Sequence, residues 1–105
     1  MLQEYIVGKI TSITSQPNDP TFGDFYNPNV PIGDPVISAQ VECSYQAAHP
    51  VNPASFAGTA LVVATMAANL TDTEMESFCR ARIAAFVNSV TARSFTETDV
   101  RGCKF

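Results

Sequence analysis

The chain has 105 residues, enough for one domain with a single modest core and short enough that association with other copies would help to shelter apolar surface. Hydrophobic residues make up 46% and charged residues 15%, so Ser, Thr, Asn and Ala rather than charge fill the surface. A net charge of −4 with only six Lys and Arg, none of them clustered, argues against direct nucleic-acid binding, which relies on basic side chains displacing counterions.

No run approaches the roughly 20 apolar residues of a membrane span. Residues Met1 to Ile10 carry Glu4 and Lys9 around a short apolar run, unlike a secretory signal or a transit peptide. The expected location is the cytoplasm, or a virion if the chain belongs to a particle. Cys43, Cys79 and Cys103 are an odd number, far apart and without zinc spacing, and read as free buried thiols of a reducing compartment.

Glu4 to Thr14 reads as a strand, rich in Tyr5, Ile6, Val7, Ile10 and Ile13 but with imperfect alternation. Gly8 in its middle suggests a bulge or the close approach of another backbone. Residues 16–35 then form a long loop with five prolines, three asparagines, Asp19, Asp24 and Asp34. Such a loop is longer than the roughly 12–15 residues usual inside compact domains. It also holds Phe22, Phe25, Tyr26, Val30 and Ile32, more apolar area than a disordered linker carries.

Val36 to Ala47 alternates cleanly, with Ile37, Ala39, Val41, Cys43, Tyr45 and Ala47 on one face and Ser38, Gln40, Glu42, Ser44 and Gln46 on the other. One buried and one wet face favour an antiparallel sheet. His49 to Pro53 reads as a turn. The next stretch, 53–68, divides between a helix capped by Asn52 and a strand from Thr59 to Met66, and the β-branched run favours the strand.

Thr71 and Glu74 have capping-box spacing, Leu70 and Met75 that of a hydrophobic staple, and these predict a helix over 71–91. Asp72, Glu74 and Glu76 lie at its positive end and Arg80, Arg82 and Arg93 toward its negative end, with Glu76 and Arg80 spaced as a pair. Met75, Phe78, Cys79, Ile83, Phe86, Val87 and Val90 share one arc. Arg82 falls inside that arc, where it must either snorkel to the edge or find a carboxylate such as Glu42, Glu97 or Asp99. Ala81, Ala84, Ala85 and Asn88 lie opposite and would admit a second element closely. For 94–101 the spacing of Ser94 and Glu97, with Gly102 after it, favours a short helix over an edge strand of Thr96, Thr98 and Val100.

The expected fold is therefore α+β: a small antiparallel sheet of three to four strands with the 71–91 helix packed on one face, in a single domain spanning 1–105. Signals for chemistry are sparse. His49 is the only histidine and has no acidic neighbour to orient it. A Cys43–His49 nucleophile pair would need a thiol from the inward face of a strand. Asp19, Asp24 and Asp34 match no calcium loop and read as turn formers, so neither metal nor cofactor is expected.

Phe22, Phe25 and Tyr26 on a proline-stiffened loop have the character of interface anchors, and Arg82 that of a bidentate carboxylate grip. Together these point to a non-catalytic structural or assembly protein. Its expected partners are copies of itself or other subunits, as a homo-oligomer or a component of a viral or phage particle. The rival is a small cytosolic enzyme or ligand-binding module with His49, Tyr45 and Arg82 lining a pocket.

Overall fold

The computed structural model describes residues 3–48 and 55–105. Three long strands, β1 (Tyr5–Pro17), β2 (Pro35–Ala48) and β3 (Ser55–Ala67), lead into one helix, α1 (Asp72–Thr91), and a two-residue strand, β4 (Arg101–Gly102). The strand order is β3-β2-β1-β4. The three long strands are antiparallel, but β4 runs parallel to β1, so the sheet is mixed where a wholly antiparallel one was expected. The fold is α+β, with α1 across one face.

The uneven alternation in the first strand has a physical cause. Ile6, Gly8 and Ile10 face α1 opposite Tyr45, Cys43 and Val41, and the register then shifts between Ile10 and Ser12. The extra residue, Thr11, donates its hydroxyl to the Gln40 carbonyl at 3.1 Å. It resets the phase, so that Ile13 returns to the same face opposite Ala39. Gly8 marks the close approach and not the bulge: a Cβ there would meet Cys103 Sγ at 2.5 Å and Val41 Cγ1 at 3.1 Å. Past the hairpin end the chain is strand, not helix, and that strand is longer than Thr59 to Met66.

Met75, Cys79, Ile83, Ala84 and Val87 of α1 close over Ile6, Ala39, Val41, Cys43, Val62, Ala64 and Met66. The capping box forms as expected, with Glu74 N–H donating to Thr71 Oγ1 at 3.2 Å and Thr71 N–H to Glu74 Oε1 at 3.0 Å. The buried arc is rotated from the expected one: Ala84 and Thr91 are inside, whereas Phe78 and Val90 are exposed. The reason is the segment after the helix. Ala92 turns out of α1 in the left-handed conformation (φ 56°), and the Asn88 side chain holds Phe95 through its carbonyl at 2.9 Å and its N–H at 2.7 Å. Ser77 donates to Glu97. The chain end thus covers the side of Ser77, Ala84 and Asn88, and leaves Ala81 and Ala85 exposed.

Residues 94–101 do not form the expected helix. Asp99 accepts from Thr96 N–H at 2.8 Å, two residues later than the Ser94–Glu97 box, and a single 3₁₀ turn follows over Glu97–Asp99. β4 then pairs Val7 with Arg101 and Gly8 with Gly102. Glu76 also takes other partners than Arg80: Phe105 N–H at 3.1 Å and Lys104 at 3.8 Å.

Candidate protein interface

The long loop is organised by a residue that the sequence does not single out. Asn18 is 1% exposed, and its amide donates to the carbonyls of Asn27 and Val30, both at 2.8 Å, while its side-chain oxygen accepts from Asn27 N–H at 3.0 Å. Its backbone bonds Asp34 and Gly33, each at 2.8 Å. Asn27 in turn donates to the Thr65 carbonyl at 3.0 Å. The loop is therefore drawn back across the sheet face opposite α1, where it buries Val36 and the Ser38–Thr65 hydroxyl pair, 2.9 Å apart.

This placement divides the aromatic residues. Phe22 and Phe25 lie over Thr14, Gln16 and Gln40, Phe25 half-buried and Phe22 exposed. Tyr26 turns the other way, into a cleft shared with Asp24, Asn27, Val63, Phe78 and Arg82. Of the two outcomes open to an arginine in the apolar arc, Arg82 takes the edge and not an ion pair. It is exposed because the buried arc is rotated away from it, and none of Glu42, Glu97 and Asp99 pairs with it among the described residues.

Of the groups in the rival reading, Tyr45 packs edge to face on Phe86 with ring centroids 6.2 Å apart, stands beside Gly58 and does not line the cleft that Arg82 lines. His49 and the turn around it lie outside the described residues. Asp19 spends its carboxylate on the N–H and hydroxyl of Thr21, at 2.9 and 2.8 Å, contacts that hold its carboxyl below the usual range.

The three thiols, distant in sequence, converge in the core. Burial pushes Cys43 up to about 11 and Cys79 up to about 12, with the neighbouring Cys103 adding to both, and burial raises Cys103 as well. They are neutral, poorly nucleophilic groups at physiological pH.

Beyond the loop, the sheet face opposite α1 lies open. Tyr5, Val7 and Lys9 of β1 align there with Gln46, Ser44 and Glu42 of β2, and these with Ala57, Thr59 and Leu61 of β3. Leu61 is 60% exposed, Tyr5 44% and Val7 40%. Lys9 stands directly across from Glu42, so opposite charges offset each other on this surface. Sequence reasoning missed these residues: alternation marked the wet face of β2, but β1 shows no comparable alternation and β3 was ambiguous. Comparison with family models, with curated proteins and with solved structures finds no match to this chain.

Proposed function

We propose that this chain is a non-catalytic assembly protein that works by associating with copies of itself, as a homo-oligomer or as a repeated component of a larger particle such as a virus or phage. The observation that carries this reading is the half-covered sheet. α1 shelters one face, the loop shelters one end of the other, and Tyr5, Val7 and Leu61 remain in water on a surface whose few charges are balanced. Mixed apolar and polar surface of this kind is what a non-obligate protein interface resembles, and a second copy is the simplest source of cover.

The anchoring role moves accordingly. Phe25 and Tyr26 are half-buried on their own domain, which leaves Phe22 and Arg82 as the outward members of the group. Among the described residues, the rival enzyme or ligand-binding module has Arg82 alone of its groups in a cleft. Light scattering across a wide concentration range tests the proposal. A mass above that of one chain, growing with concentration, is expected. A monomer at every concentration would overturn it, and a small molecule retained by that monomer through purification would establish the rival.

A further inference from the structure

We infer that a second copy docks along the outer edge of β3, where the Ala57–Val63 segments pair antiparallel about a two-fold axis at Ala60, joining two four-stranded sheets into one of eight. This inference rests on the assembly reading above and names its contact.

The two edges of the sheet are treated differently. The β1 side pairs with β4 at Val7 and Gly8 and beyond them carries Lys9, the Thr11 bulge and Pro17, whereas β3 ends the sheet on its other side. The Thr65 carbonyl accepts from Asn27 and so faces away from β2. Alternation then turns the backbone N–H and C=O groups of Val63, Leu61, Thr59 and Ala57 outward as well, and among the described residues no other element bonds to them. Edges left free in solution usually carry charge, proline or a bulge. Residues 55–67 contain no charged residue and no proline, and their register with β2 runs without a shift.

A second copy is the occupant that fits. Antiparallel pairing about a two-fold is self-complementary, and an uncharged strand meets no like charge in its own image. The loop closes the edge at Thr65, so the open stretch Ala57–Val63 is centred on Ala60. Ala57 then faces the partner's Val63, and Thr59 the partner's Leu61, so that every outward group finds a partner.

The helix supplies independent support. The axis is perpendicular to the sheet, so both helices stay on one side. α1 lies over β3 and β2 more than over β1. With strands about 4.8 Å apart, the two copies of α1 come to about 10 Å, the spacing of packed helices. The flank that overhangs β3 carries Phe78, Arg82, Ala85 and Ser89, at the spacing of one helix stripe and all exposed. Arg82 lines a cleft with Val63, and Phe86 packs on Tyr45, which stands beside Gly58. Ala85 lies on the exposed stripe between Arg82 and Ser89, a small residue on the flank turned toward the partner helix.

Three samples decide the matter: the unaltered chain, Leu61→Pro and Ala85→Arg, each followed by light scattering and thermal melting. Proline at Leu61 removes an N–H that the isolated fold leaves unpaired, which edge strands tolerate, and Ala85 is exposed, so both variants are expected to fold. The expected result is an associating parent, at least tenfold weaker association in each variant, and slow, concentration-dependent exchange of the Thr59, Leu61 and Val63 amides in the parent. An associating parent whose variants associate equally well, or whose three amides exchange freely, would overturn the β3 contact and leave the assembly reading standing. A monomeric parent would overturn both.

Discussion

Asn18 uses both amide hydrogens and its carbonyl to tie together the turns at Asn27 and Val30 while its backbone fixes Gly33 and Asp34. Removing the side chain leaves the half-buried Asn27 and Val30 carbonyls and the Asn27 N–H without their partner, and since water can meet part of that loss the cost per group falls toward the lower end of the about 1–3 kcal/mol of a fully buried one. Asn18→Ala is accordingly expected to lower the denaturation midpoint, with a loss of about 2–4 kcal/mol in urea unfolding; a change below about 0.5 kcal/mol would mean that the loop is held by its prolines. None of this is legible in residues 16–35, which offer three asparagines and no mark to separate the buried one from the others. The thiols are the opposite case. Their burial follows from the inward face of β2 and the arc of α1, and it has a chemical consequence. Because the folded-state values are raised by burial, the thiols favour folding fully below the ordinary value of 9.0, and that contribution is lost as pH rises toward about 11 to 12. At pH 8 the folded chain is expected to leave all three cysteines unmodified by a thiol-specific disulfide reagent, and the unfolded chain to react at all three; fast labelling without denaturant would contradict the packed core around Gly8.

Among the elements, β2 and α1 were written most plainly, one by strict alternation and the other by a reciprocal cap. Thr71→Ala removes the acceptor for Glu74 N–H and is expected to cost about 1 kcal/mol, read as a lower melting temperature with no change in the exposed surface of the native state; an unchanged melt would place the start of the helix elsewhere. β1 was harder to read because a bulge switches its phase in the middle, which a pattern of fixed period cannot accommodate. The orientation of α1 was harder still. Hydrophobicity alone put Phe78 and Val90 within the buried arc, but the 93–105 segment packs on Ala84, Asn88 and Ser77 and turns that side inward. Arg82 reaches the edge as a result. A helix covered on two sides buries whichever residues face its neighbours, and those neighbours are set by the tertiary path.

At the scale of the molecule, the layout of one helix on one sheet was legible, while the return of the chain end to the first strand was not, because two paired residues carry no pattern. The result is a body of 48 × 24 × 19 Å, long in the strand direction and thin across it, with one sheet edge finished and the other bare. The finished edge has a consequence for biosynthesis. β1 is made well before its outer neighbours Arg101 and Gly102, and before Cys103, whose N–H donates to the Gly8 carbonyl at 2.9 Å. Arg93 likewise reaches back to Glu4 and to the Ala48 carbonyl, the latter at 2.8 Å. A chain made only as far as residue 92 could pair its three long strands and form α1 and still lack this clasp, so closure of the β1 edge waits for residues 93–103.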